Sequence, residues 1–133
     1  MMAERPQDAA LSPSEQATIQ DLLGVDREQT MSRVASLTRD RDAIVESATL
    51  VATDDEHDPE GSSTAFERAH VQALLDQAHS HLADLDRALE RLHDGTYGVC
   101  EGCGRPIALE RLKVRPAAKT CITCATVRRR SDR

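Results

Sequence analysis

Two tight pairs of cysteines constrain this chain more than any other feature. Cys100 and Cys103 form one C-x2-C pair and Cys121 and Cys124 form another, with seventeen residues between them and no further cysteine in the sequence. That spacing suits a single tetrahedral Zn2+ held by four thiolates. A two-residue gap lets a tight turn aim both sulfurs of a pair at one ion. Gly102 and Gly104 flank Cys103, and Pro106 follows. Glycine supplies the positive-φ backbone such a turn can require. Cys121-Ile122-Thr123-Cys124 has no glycine, so its turn is expected to be less demanding. Four cysteines close the coordination shell and leave no open position, so the expected zinc is structural rather than catalytic. The zinc-deaminase H-x-E motif is absent. The competing readings are two redox pairs or two disulfides. No βαβ pattern surrounds the pairs, as a thioredoxin-like motif would need. No secretory signal opens the sequence, which favours a cytoplasmic setting where disulfides are rare.

The rest of the chain points to helices. Of 133 residues only Phe66 and Tyr97 are aromatic. So little aromatic bulk favours helices packed along a seam over a globule, and it disfavours stacking on single-stranded nucleic acid. No apolar stretch approaches the ~18 residues of a membrane span. Charge is divided by position. Residues 1–97 carry a net −12 and residues 98–133 a net +6. Four thiolates with one Zn2+ would lower the latter to about +4.

Residues 1–11 lack apolar periodicity and read as a flexible end. Ser12-Pro13-Ser14-Glu15 combines a capping box with proline at the first helical position, which predicts a helix start. Leu23, Arg27, Thr30, Val34, Leu37, Arg41, Ile44, Ala48 and Val51 follow a heptad, with three of the nine seam positions polar. Gly24 is expected to bend or break this helix. Residues 53–63 read as an acidic turn, with five carboxylates in seven residues. Thr64-Ala65-Phe66-Glu67 is a second capping box and predicts the next helix start. Val71, Leu75, Ala78, Leu82, Leu85, Leu89 and Leu92 then keep an unbroken 4-3 spacing, and Asp94-Gly95 ends the pattern.

The expected fold is therefore mainly α: a long antiparallel two-helix coiled-coil hairpin over residues 12–94, a small four-cysteine zinc finger over 95–127 with a short terminal helix, and a basic tail over 128–133. The acidic turn would lie about 40–45 Å along the helix axis from the zinc end. Residues 125–130 suit either a short helix or a disordered basic tail.

Residues 95–125 carry a denser signal: Gly-Thr-Tyr-Gly-Val-Cys-Glu-Gly-Cys-Gly-Arg-Pro-Ile, then Glu110-Arg111-Leu112, Arg115-Pro116 and Cys-Ile-Thr-Cys-Ala. This segment resembles the zinc finger of the DksA/TraR family, and the preceding layout is similar to that family over roughly residues 12–127. The resemblance implies a transcription regulator that binds RNA polymerase rather than DNA. In DksA-type members the hairpin enters the polymerase secondary channel and its acidic tip approaches the catalytic region, some acting with the alarmone ppGpp. The family tip pattern Asp-x-x-Asp-x-Ala is degenerate here. Asp58 keeps the first aspartate, Gly61 replaces the second and Ser63 replaces the alanine. Asp54, Asp55 and Glu56 lie just before it and could substitute electrostatically.

Several functional readings stay open at this stage. Asp54, Asp55, Glu56 and Asp58 are candidate polymerase-contacting residues, or simply a solvated loop. The run lacks the EF-hand ligand spacing. Arg111, Lys113, Arg115, Lys119, Arg128, Arg129 and Arg130 are a candidate basic contact patch for nucleic acid or an acidic protein face. A scaffold with no action at the polymerase active centre is the third reading. His57 lies among carboxylates, while His79 and His81 point to different faces and are poor joint ligands. No nucleophile–base pair, phosphate loop or paired-carboxylate site stands out, so the chain is not read as an enzyme.

Overall fold

The computed structural model describes residues 11–52 and 59–131. They form four helices: α1 (Pro13–Ala52), α2 (Pro59–Asp94), α3 (Leu109–Val114) and α4 (Ile122–Ser131). Among the described residues the β-structure is one isolated antiparallel bridge, Val99 to Pro106.

Helix α1 starts at the predicted capping box. The Ser12 N–H donates to Glu15 Oε1 (2.8 Å) and the Glu15 N–H donates to Ser12 Oγ (3.1 Å). Two otherwise orphaned backbone donors are thereby satisfied. Gly24 does not interrupt the helix, contrary to expectation. A mid-helix glycine costs only about 1 kcal/mol, and the adjacent Leu23 is fully buried. Helix α2 starts at Pro59, five residues before the predicted start at Thr64. Proline at a first helical position lacks an N–H that would have no partner there. Residues 59–63, predicted to belong to the acidic turn, lie in α2.

Helix α2 ends where Asp94-Gly95 predicts. Gly95 takes φ +81°, and the Thr96 N–H bonds the Arg91 carbonyl at 2.9 Å. That six-to-one bond with a left-handed glycine is a Schellman closure. It turns the chain back so that Tyr97 can fold under the end of α2.

The chain divides into two compact units, Met1–Arg27 with Ala83–Arg133, and Glu28–Leu82. In the first, Ile19 and Leu23 of α1 and Leu85 and Ala88 of α2 form one core with Tyr97, Cys100, Ile107 and Leu112. Leu11, assigned from sequence to the flexible end, packs against this core. Arg27 Nε pairs with Asp86 at 2.7 Å on its margin. In the second unit, Thr30, Leu75 and Ala78 are buried, and Arg41 Nη1 donates to Gln72 Oε1 at 3.4 Å. The paired positions rise from 27 to 41 along α1 as they fall from 86 to 72 along α2, which is the order of antiparallel helices.

The heptad reading locates most of this seam but misses two fully buried residues, Ile19 and Ala88. On α1 the spacing Ile19, Leu23, Arg27, Thr30 is 4-4-3, closer to an untwisted helix than to a strict heptad. On α2, Ala88 lies three residues past Leu85, beside the seam residue Leu89. There the apolar stripe widens because the helix faces the finger as well as α1.

Candidate metal centre

Each cysteine pair sits on local structure suited to aiming sulfurs inward. The first pair lies in a small hairpin. The Cys100 N–H bonds the Arg105 carbonyl (2.8 Å), the Gly104 N–H bonds the Cys100 carbonyl (2.9 Å) and the Ile107 N–H bonds the Gly98 carbonyl (2.7 Å). Gly104 takes φ +74°, the left-handed turn position expected after Cys103. Gly102 has a different role. A Cβ there would stand 3.0 Å from Cys124 Sγ, so the sulfur cage itself excludes a side chain. The second pair needs no glycine because it is the first turn of α4. Cys121 immediately precedes the helix, and its Sγ accepts the Cys124 N–H at 3.4 Å.

The four Sγ atoms lie within 4.8 Å of one another. Cys103 and Cys121 are 3.8 Å apart, as two corners of a tetrahedron with Zn–S bonds of about 2.3 Å would be. All four cysteines are free of disulfides. Cys100 is buried, Cys103 exposed and the other two intermediate. Burial pushes the Cys100 thiol up, but backbone N–H groups led by those of Cys121, Cys103 and Gly102 outweigh it and bring it down to about 6. The Cys124 N–H likewise lowers Cys121. Cys124 is pushed up to about 12, chiefly by its hydrogen bond to Cys100 and then by those to Cys121 and Cys103. Backbone N–H groups thus favour the thiolate at Cys100 and Cys121, while the neighbouring sulfurs oppose it at Cys124. A divalent cation at the centre satisfies all four together.

Around the cage, a second set of contacts binds the finger into the core. The Glu101 N–H bonds the Lys119 carbonyl at 2.8 Å, and the Glu101 carboxylate pairs with Arg91 near the end of α2. Arg111 Nε donates to the Thr120 carbonyl at 3.0 Å. The Tyr97 hydroxyl, buried, donates to the Pro116 carbonyl at 2.7 Å. Sequence reasoning passed over Arg91, Glu101 and Tyr97 as contributors. The only sequence signal was the glycine at 95, which foretold a reversal bringing the finger back against α2.

Tyr97 carries a measurable signature. Burial raises its phenol from 10.0 to about 12, against a smaller lowering by Arg91. Ionisation therefore favours the unfolded chain. The stabilisation is full below pH 10 and is lost as pH rises towards about 12. Tyr97→Phe is expected to cost about 1–2 kcal/mol at neutral pH, because the buried Pro116 carbonyl loses its donor. The variant should also lose less stability than wild type on going from neutral pH to about pH 11, as urea unfolding at both values will show.

Comparison with known proteins agrees with this geometry. Residues 95–130 match the prokaryotic dksA/traR C4-type zinc finger. The structure is similar to that of transcription factor DksA2 from Pseudomonas aeruginosa, with TM-score 0.72 and 26% identity over 91% of this chain and 88% of that one. Residues 95–130 form a dksA/traR C4-type zinc finger. The chain is 35% identical over 72 residues to the RNA polymerase-binding transcription factor DksA of Caulobacter vibrioides, covering 54% of this chain and 51% of the relative. It is 36% identical over 66 residues to the uncharacterised YteA of Bacillus subtilis, covering 50% of this chain and 28% of YteA. The chain thus spans about half or less of the curated relatives it matches. Cys100, Cys103, Cys121 and Cys124 are the four cysteines of this C4-type zinc finger, close enough together to bind one metal ion.

The other candidate residues fall differently. Asp54, Asp55, Glu56 and Asp58 lie outside the described residues. Of the basic set, Arg111 is engaged inside the finger by Thr120. Lys113, Arg115, Arg128 and Arg129 are exposed, Lys119 is half-buried, and the Arg130 side chain lies outside the described residues. The terminal helix starts at Ile122 rather than after Cys124, and α3 was not anticipated, being six residues long and too short to show a period. No helix among the described residues is long and apolar enough to cross a membrane.

Proposed function

We propose that this chain is a cytoplasmic transcription regulator that binds RNA polymerase, with the acidic segment Asp54, Asp55, Glu56 and Asp58 entering the secondary channel and acting near the catalytic centre. The observation that carries this reading is the similarity to DksA2 over 91% of the chain. The RNA polymerase-binding DksA of Caulobacter vibrioides supports it over the matched part. The zinc is structural and the chain is not an enzyme. Its four-thiolate shell leaves no coordination site for substrate, and any chemistry influenced at the tip belongs to the polymerase.

Gly61 and Ser63 depart from the family tip pattern, so the cluster at 54–58 carries the action in this reading. The test is capture of core RNA polymerase together with an in vitro transcription assay, with and without ppGpp. Wild type is expected to bind polymerase and change transcript yield without shifting promoter DNA alone. The Asp54→Asn/Asp55→Asn/Asp58→Asn variant is expected to keep binding and lose the effect. No association at micromolar protein and low salt would overturn the reading. An unchanged effect from the variant would leave a scaffold without tip action.

A basic-finger reading has one observation in its favour: Lys113, Arg115, Arg128 and Arg129 are exposed on a segment of net positive charge. It predicts nucleic-acid binding that weakens steeply with salt. Charge reversal at these four positions with unchanged affinity would remove it.

A further inference from the structure

The metal cage and the paired ends of the long helices share one core. Cys100 is buried in the same cluster as Ile19, Leu23, Leu85 and Ala88, and Cys121 and Cys124 pack against it. The buried residues of the other unit among those described, Thr30, Leu75 and Ala78, are absent from that cluster. A metal that organises residues 95–125 must therefore also set the surface on which residues 13–27 and 83–94 pack.

One residue concentrates this connection. Glu101 lies between the cysteines of the first pair. Its N–H bonds the Lys119 carbonyl, two residues before the second pair. Its carboxylate pairs with Arg91 of α2, whose side chain is only 17% exposed. The Arg91 carbonyl in turn accepts the Thr96 and Tyr97 N–H groups that close the helix. Helix end, first knuckle and the approach to the second knuckle thus meet at one ion pair. Its neighbour on the same helix, Arg87, pairs only locally with Asp84 one turn away.

We propose that the Arg91–Glu101 pair couples zinc occupancy of the finger to the stability of residues 13–27 and 83–94, while residues 28–82 keep their stability independently. Arg91 and Glu101 are positioning residues in this account, since neither contributes a ligand atom to the cage. Metal loss then loosens a defined half of the helical pairing rather than the finger alone. The inference stands apart from polymerase binding and needs no partner.

The experiment is amide hydrogen exchange by mass spectrometry on the full-length zinc-loaded chain, before and after chelation. Exchange should accelerate at 13–27 and 83–94 together with 95–125, with rates at 28–82 unchanged. Acceleration confined to 95–125 overturns the proposal, and so does acceleration spread evenly through 28–82. The variant arm measures zinc transfer to a chromogenic chelator. Arg91→Ala should speed transfer roughly fivefold, as loss of a partly exposed ion pair supporting a metal site suggests. Arg91→Lys should restore most of the wild-type rate, and Arg87→Ala should leave it unchanged. If Arg91→Ala does not fold, Glu101→Gln keeps the shape and removes only the charge, and it should give the same acceleration. A rate for Arg91→Ala or Glu101→Gln equal to that of Arg87→Ala sinks the assignment.

Discussion

Replacing Cys100 by serine is expected to abolish stoichiometric zinc binding and to unfold the finger. Wild-type protein should contain one zinc per chain, because one four-sulfur cluster is present among the described residues. Serine offers a hydroxyl that does not ionise near neutral pH and is a poor zinc ligand. At this position it also replaces a buried sulfur that accepts N–H groups from Gly102 (3.3 Å) and Cys121 (3.2 Å). Little else could hold the segment together, since beyond Cys100 its buried apolar side chains are Tyr97, Ile107, Leu112 and Pro116. Structural zinc supplies roughly 10–16 kcal/mol of apparent binding free energy in finger peptides. That is comparable to the whole stability of a small domain, about 5–15 kcal/mol. Metal analysis and circular dichroism check the result, and chelation of wild type should reproduce the spectrum of the variant. Zinc-free protein with an unchanged spectrum would count against a structural metal.

Leu85→Ala is expected to cost about 2–5 kcal/mol, the range for deleting a fully buried leucine side chain into a site that relaxes incompletely. Leu85 has no exposed surface and lies among Ile19, Leu23 and Ala88. Leu89→Ala, four residues along the same helix, should cost clearly less because Leu89 is only partly buried. Val114→Ala is the surface control. Val114 is 81% exposed, and the change should stay within about 0.5 kcal/mol. Urea unfolding of the zinc-loaded proteins separates the three. Equal losses for Leu85 and Leu89 would mean that the heptad alone governs the seam.

These two results touch different kinds of legibility. Each cysteine pair could be read directly, because a two-residue gap brings two sulfurs close together whatever the rest of the chain does. The start of α1 was readable for the same reason, since a capping box involves residues three apart. Local signals also misled where they were weak. Gly24 is tolerated because its cost is small beside the packing of the residues around it. Thr64 was passed over as a start because Pro59 is an equally good first helical residue.

The sequence by itself marked the two cysteine pairs, two long helices and the Asp94-Gly95 stop. Each depends on residue types within a few positions of one another. Only the tertiary structure decided which of the evenly spaced leucines is fully buried, that Ile19 and Ala88 join them, and that Arg91 meets Glu101. Burial at a helix position depends on the surface placed against it, and that surface comes from residues far away in the chain. A heptad marks the side of a helix that can be covered. Where α2 meets both α1 and the finger, the covered stripe widens, and only folding puts the metal cage and the ends of the long helices into one core.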